Sequence, residues 1–269
     1  MNGSTQKPAT SARIYDYYLG GIHNFAADQE AAKALIAQFP CIPDVARANR
    51  AFLGRAVRWL VDAGIRQFLD IGSGLPTVGN VHEIAQAVAP DARVVYVDID
   101  PMAVAESLEM LRGNELASAI RGDLRDPKAI LDHPTVRRLL DFQQPVGLLL
   151  VSVLHFVPDD AQAYDVVPQL VAALPPGSYL VVSHAAAEAF DHLYQRLTNK
   201  DDVYRQRTPT PGTSRTRSEV ERFFTGLELV EPGVVRIGEW RPDPDESVEP
   251  ADERRRGGGL GAWAGVARK

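Results

Sequence analysis

The fold is decided by residues 69–77, which read LDIGSGLPT. An apolar run begins just before this segment, and a helical pattern follows it. A strand, a tight turn and a helix in this order are typical of the edge of an open α/β sheet at which nucleotides bind. Gly72 and Gly74 tolerate positive φ and let a ligand approach bare backbone. We therefore predict a ligand-binding turn after the first strand.

A second apolar run, residues 93–100, ends in two acidic residues. Asp98 follows Gly74 by 24 residues, close to the spacing of about 20 at which a carboxylate reaches a ribose hydroxyl. Asp100 precedes a proline that suits the first position of a helix, so it is the better candidate for a helix cap. The two segments together predict an adenosine-containing ligand with Asp98 on its ribose.

Composition limits the class of protein. The chain has 269 residues, of which 45% are hydrophobic and 24% charged, as in ordinary globular proteins. No apolar run approaches the roughly 18 residues of a membrane span, and the first residues do not resemble a signal peptide, so we expect a cytoplasmic protein without a membrane partner. The single cysteine, Cys41, argues against a disulfide framework or a cysteine metal cluster, and no metal is predicted. A net charge of −6 gives no overall attraction to nucleic acid.

Strand and helix patterns alternate along the middle of the chain. Strands are predicted at residues 66–71, 92–98, 117–121, 146–153 and 178–184, with helices at 79–89, 101–112, 127–141 and 160–174. The strand at 146–153 is almost continuously apolar, which indicates a parallel sheet with helices on both faces.

The two ends of the chain differ from this alternation. We predict helices at 12–19, 28–39 and 43–63 before the sheet. After the fifth strand we predict a helix at 185–198 and another with a capping box formed by Ser218 and Glu221. Two further strands are expected at 227–237, with a break at a Pro-Gly pair, and at 260–267.

Five segments resemble, in the right order, the motifs of class I S-adenosylmethionine-dependent methyltransferases. They are residues 69–74, 97–101, 121–124, 152–158 and 174–180. The resemblance implies that residues 65–269 form a doubly wound, mostly parallel α/β sheet of seven strands, Rossmann-like, that binds S-adenosylmethionine as cofactor and transfers its methyl group.

The N-terminal part resembles an actinobacterial, hence bacterial, subfamily of S-adenosyl methyltransferases. Residues 13–21, 24–25 and 47–50 carry this likeness. We expect residues 1–64 to form a tail and a helical extension that covers the cofactor, with Tyr15 and Asn24 among the cofactor contacts. Aromatic faces attract a sulfonium cation, although the same aromatic side chains could serve packing alone.

The resemblance also assigns roles to the strand ends. It implies cofactor binding by Asp70, Gly72, Gly74, Asp98, Asp123 and Ser152. His155 and His184, at the ends of strands four and five, are candidate catalytic bases, and a histidine without catalytic function is the alternative. The chain departs from the family in two places, since Pro76 replaces the usual third glycine and no acidic residue begins strand four.

Three functions remain open from the sequence. The leading one is methyl transfer to an unidentified acceptor, expected to be a small molecule rather than a nucleic acid. A non-catalytic S-adenosylmethionine-binding module is the second. A nicotinamide-dependent oxidoreductase is the third, but its phosphate-binding turn would need a glycine at position 77, which is Thr77. The arginines at 205, 207, 215 and 217 are interpreted as a solvated loop that could alternatively hold an anionic group.

Overall fold

The computed structural model describes residues 8–77, 79–187, 212–243 and 261–269. Three helices come first, α1 (Ser11–Tyr18), α2 (Ala26–Gln38) and α3 (Ile42–Asp62). The alternating part then consists of β1 (Gln67–Ile71), α4 (Val81–Val88), β2 (Arg93–Asp98), α5 (Pro101–Met110), β3 (Ala117–Arg121), α6 (Pro127–Leu131), α7 (Pro134–Leu139), β4 (Gly147–Val151), α8 (Asp160–Ala172) and β5 (Tyr179–Ala185). The chain closes with α9 (Arg217–Glu221), β6 (Glu228–Leu229), β7 (Val235–Arg236) and β8 (Ala262–Arg268).

These strands form one mixed sheet in the order β3-β2-β1-β4-β5-β8-β6, with β7 also paired to β8. The first five strands are parallel, and β8 is antiparallel to β5. The chain runs outward from β1 to β3 and then returns to β4 on the other side of β1. The predicted Rossmann-like doubly wound sheet is therefore confirmed, and its switch point, where such sheets bind ligands, lies between β1 and β4.

Side chains alternate between the two faces of the sheet, as the pleat requires. Leu69 and Leu148 face a core that contains α6, α7 and α8, whereas Phe68 and Leu149 face a core that contains α3 and α4. Both faces are thus buried, which is why β1 and β4 are apolar almost throughout.

Three local predictions were wrong in detail. Residues 127–141 form two helices rather than one, because His133 caps a second helix that starts at Pro134. The capping box of α9 is Thr216 with Glu219, two residues earlier than predicted. Residues 227–237 form two short strands, so the sheet has eight strands among the described residues. The predicted helix at 185–198 lies almost wholly outside them, and Ala185 is still part of β5.

The N-terminal helices form a separate small core, in which Ile14, Leu35 and Ala46 are buried. A buried arginine attaches this layer to the sheet. Arg13 Nε lies 2.8 Å from Asp28 Oδ2, and Arg13 Nη1 lies 3.5 Å from Asp100 Oδ2. Within the described residues, no helix has the length and apolar character needed to cross a bilayer.

The Arg13 ion pair should dominate the stability of this layer. Asp28→Ala leaves a buried guanidinium without its main partner and should lower the free energy of unfolding by about 3–5 kcal/mol. Glu109→Ala, which removes an exposed ion pair to Arg112, should cost less than about 1 kcal/mol. Urea denaturation of both variants checks this. Equal losses in the two variants would show that the buried pair does not hold the layer.

Candidate active site

A cavity of about 870 Å³ lies at the carboxyl ends of the parallel strands, at the predicted switch point. The turns after β1, β2 and β3 line one side, and the segments after β4 and β5 line the other. Side chains of α1, α2 and α3 complete the wall. The N-terminal helices therefore cover the edge of the sheet at which a ligand would bind.

The glycine turn after β1 is held against the turn after β2. Gly72 and Gly74 both have positive φ, +79° and +68°. The Asp98 carboxylate accepts hydrogen bonds from Gly74 N at 2.7 Å and from Asp100 N at 2.8 Å. Asp100 in turn caps α5 by accepting from Met102 N at 2.9 Å, as the sequence predicted. Burial raises the pKa of Asp98 above its usual range.

Opposite charges face the same cavity at the end of β1. Asp70 is buried, and burial raises its pKa to about 7, against the opposing effect of the nearby Arg50 guanidinium. Arg50 also lines the cavity and donates to the carbonyl of Gly79 at 2.7 Å. This part of the site can accommodate a ligand group that carries both an ammonium and a carboxylate.

Asp123, after β3, also lines the cavity. Its carboxylate pairs with Arg125 at 2.6 Å, and the hydrogen bonds from Arg125 lower the pKa of Asp123. The side chain is about one-third exposed. The two residues form a polar rim at the β3 end of the cavity.

The segment after β4 carries two of the predicted residues into the cavity wall, Ser152 and His155. Ser152 has φ of +56°, a conformation that is uncommon for residues other than glycine and that clusters at functional sites. Its N–H donates to Ser183 Oγ at 2.9 Å. His155 is half-buried, and its Nδ1 has no hydrogen-bond partner among the described residues. Burial, and secondarily the charge of Arg215, lowers the pKa of His155 to about 4.

His184 is buried behind this wall and is not among the described residues that line the cavity. Its Nδ1–H donates to the carbonyl of Ala185 at 2.8 Å, so Nε2 accepts from Arg215 Nη1 at 2.8 Å. Arg215 is itself buried and also donates to the carbonyls of Leu154 and Val157. The interpretation of Arg215 as a solvated arginine was therefore wrong. Its hydrogen bonds to these carbonyls stabilise the turn that contains His155. Arg205 and Arg207 lie outside the described residues.

A chain of hydrogen bonds connects the N-terminal layer to the segment after β4. Tyr15 O–H donates to the carbonyl of Ala46 at 3.0 Å and accepts from Asn49 Nδ2 at 2.9 Å. Asn49 Oδ1 accepts from Ser183 Oγ at 2.6 Å, and Ser183 Oγ accepts from Ser152 N. The chain fixes the orientation of the Asn49 amide and ties α1 and α3 to the cavity floor.

The structure brings most of the sequence-predicted residues together. The cavity lining includes Tyr15, Asp70, Gly72, Gly74, Asp98, Asp123, Ser152 and His155. Asn24 is placed elsewhere, since its amide donates to Asp16 and to the carbonyl of Gly21. Sequence reasoning gave no role to Asn49 and Arg50, although both lie in the segment 47–50 that carried the family likeness.

Comparison with known proteins identifies the family. The S-adenosyl methyltransferase family matches residues 4–269. A candidate methyltransferase of Thermobifida fusca YX is 42% identical over 97% of this chain and 95% of its own, with a TM-score of 0.87. A DUF574 family protein of Streptomyces avermitilis MA-4680 is 43% identical over 97% of this chain and 98% of its own, with a TM-score of 0.88. No curated protein matches.

The fold and the site thus define a class I S-adenosylmethionine-dependent methyltransferase. The chain belongs to the S-adenosyl methyltransferase family, and S-adenosylmethionine is its cofactor. The plantazolicin methyltransferase BamL, with 12% identity and a TM-score of 0.53, shares the fold alone.

The two glycines of the first turn should differ in their tolerance of alanine. An alanine at either position costs about 1–2 kcal/mol because φ is positive. At Gly72 a Cβ would also meet Val153 Cγ2 at 2.3 Å, whereas at Gly74 nothing lies within 4 Å. Gly72→Ala should therefore lower the denaturation midpoint more than Gly74→Ala. Equal midpoints would mean that the contact between the β1 and β4 turns is not close.

Proposed function

We propose that the protein methylates a small-molecule acceptor, with the cofactor bound across the ends of β1, β2 and β3. The observation that carries this proposal is the single cavity that joins Asp98 and the glycine turn to the segment after β4. The cofactor and the reaction class follow from the family, and the acceptor and the residue roles are our inference.

The residues in the cavity fit the cofactor group by group. The Asp98 carboxylate is suited to the ribose hydroxyls, and the space beside Gly74 leaves room for a ligand against the backbone. Asp70 and Arg50 suit the ammonium and carboxylate of the methionine part. Asp123 stands at the end of the cavity that the adenine would occupy.

When bound, S-adenosylmethionine supplies an electrophilic methyl group on its sulfonium. The acceptor heteroatom would form a bond to the methyl carbon as the carbon–sulfur bond breaks, which would leave S-adenosylhomocysteine. A proton carried by that heteroatom would be lost to water when the methylated product leaves the cavity. The protein contributes orientation and exclusion of water, which is worth roughly 7–11 kcal/mol when reactants are well aligned. Side chains of α1 to α3 line the cavity together with the strand ends, so within the predicted extension 1–64 we assign the covering role to these three helices.

We propose different roles for the two histidines. His155 lines the cavity and is neutral at physiological pH. We therefore assign it the role of a neutral hydrogen-bond donor or acceptor and not that of a charged imidazolium. His184 acts through Arg215, which binds the carbonyls of the turn around His155. His184 is therefore a positioning residue, and its two ring nitrogens are already engaged.

A small acceptor is favoured over a polynucleotide by the covering of the cavity. The described lining residues include side chains from α1, such as Tyr15 and Tyr18, on the side away from the sheet. A wall of this kind leaves room for a compact ligand, and a duplex or folded RNA would have to displace the helices.

Turnover and cofactor binding test the proposal together. The purified protein should form S-adenosylhomocysteine when given S-adenosylmethionine and an extract of small metabolites. Asp98→Ala should weaken S-adenosylhomocysteine binding at least about tenfold, because it removes a charge-assisted hydrogen bond worth about 1.5–3 kcal/mol and also releases the glycine turn that the carboxylate holds through Gly74 N. The exposed acid variant Glu109→Ala serves as the control and should bind normally. Binding without turnover in any extract would favour the non-catalytic module, and binding of NAD instead would contradict the proposal.

Cofactor affinity should depend on pH through Asp70. The carboxyl group is neutral below its pKa of about 7 and must ionise to pair with an ammonium. The affinity for S-adenosylhomocysteine should therefore fall about tenfold for each pH unit below 7. Calorimetry between pH 8 and pH 5.5 measures this. Asp70→Asn should bind more weakly at pH 8 and lose most of the dependence, and an unchanged slope in the variant would exclude Asp70 as its source.

A further inference from the structure

The charges in the cavity are confined to one part of it. The charged side chains among the described lining residues are Arg50, Asp70, Asp98, Asp100, Asp123 and Arg125. The acids and Arg125 lie at the carboxyl ends of β1, β2 or β3 or just after them, and Arg50 on α3 faces Asp70. This is the part that the proposed function assigns to the cofactor.

The remaining part, which we call the distal half, is lined among the described residues by uncharged side chains, most of them apolar. Phe156, Val157 and Pro158 contribute from the segment after β4, and Leu35, Phe39 and Ile42 contribute from the end of α2 and the start of α3. The helix α3 reaches this side of the sheet, since its Asn49 accepts a hydrogen bond from Ser183 of β5. Residues from the ends of β5 and β8 that line it, Ala185 and Ala262, are small and leave space.

The cavity is long enough for two ligands. It extends along the sheet edge from Gly122 after β3 to Ala262 at the start of β8. With the strand order β3-β2-β1-β4-β5-β8 this distance covers five interstrand spacings, which is about 24 Å. The charged part occupies the β1 to β3 end, so the distal half lies beyond the cofactor, on the side of β4 and β5.

The distal half offers no described partner for an ionised group. Among the described residues, the side chain there that titrates near neutral pH in its free form is His155, which is neutral because burial and the charge of Arg215 lower its pKa to about 4. Transfer of a charged group into an apolar environment without a counter-charge is strongly unfavourable. Neutral hydrogen-bonding groups are present, since His155, Gln38 and Thr213 line the same space.

We propose that the distal half binds the methyl acceptor, and that the acceptor is an uncharged, predominantly apolar small molecule with a neutral hydrogen-bonding group. The inference rests on the proposed function for the identity of the ligand in the charged part. On this proposal amino acids, phosphorylated metabolites and nucleotides are poor acceptors.

A substitution at Ile42 tests the charge preference of the distal half. Ile42 is the first residue of α3, and a carboxylate at a helix N-terminus is favourable, so Ile42→Asp should fold. Ile42→Val keeps the position apolar and is the matched control.

The screen uses the full chain saturated with S-adenosylhomocysteine and a set of aromatic fragments of matched size, in equal numbers of neutral, anionic and cationic compounds. Ligand-observed NMR detects binding.

Neutral fragments should outnumber charged ones among the binders. Their affinity should fall by at least about tenfold in Ile42→Asp, since a buried carboxylate must then be desolvated, and should fall much less in Ile42→Val, which loses a methylene group but stays apolar. The proposal is overturned if anionic or cationic fragments predominate, if Ile42→Asp leaves binding unchanged, or if no fragment binds.

Failure of the proposed function is recognised separately. Calorimetry with S-adenosylhomocysteine precedes the screen, and a protein that does not bind it contradicts the assignment of the charged part. The screen is then run on the unliganded protein, where the same comparison of Ile42→Asp with Ile42→Val still decides whether the distal half prefers uncharged ligands.

Discussion

The hydrogen bonds that meet at Asp98 connect the parts of the structure on which the site depends. Its carboxylate holds the glycine turn through Gly74 and the start of α5 through the N–H of Asp100. The Asp100 carboxylate then contacts Arg13, which is paired with Asp28 in the N-terminal layer. The ligand-binding turns and the helices that cover them therefore form one connected polar network, which burial makes costly to break.

A cavity that holds acids beside apolar side chains carries an electrostatic cost. Burial raises the pKa values of Asp70 and Asp98, so their ionised forms are disfavoured until a ligand supplies compensating charge or hydrogen bonds. A cofactor with an ammonium and two ribose hydroxyls supplies both. In our proposal the cofactor relieves this cost in the charged part of the cavity, and the described side chains of the distal half carry no charge.

The sequence predicted the parts of this account that depend on local pattern. Apolar runs ending in glycines or acids placed β1, β2 and the Asp100 cap, because strand burial and capping act over a few residues. The position of Arg215 could not be predicted, since its partners His184 and Leu154 lie far away in sequence and only the folded chain buries it. The same holds for Asn49, whose role arises from contacts with α1 and β5. Two helix starts differed from the prediction because nearby polar residues act as the caps. His133 caps a separate helix that begins at Pro134, and Thr216 caps α9 in place of Ser218.

A crystal structure of the protein with S-adenosylhomocysteine tests the central claim, that one cavity holds the cofactor in its charged part and leaves a neutral space beyond it. The account predicts both ribose hydroxyls within hydrogen-bond distance of Asp98, the methionine group between Asp70 and Arg50, and the sulfur directed toward His155 and the distal half. A ribose away from Asp98, or a ligand that fills the space beside Phe39 and Ile42, would contradict it.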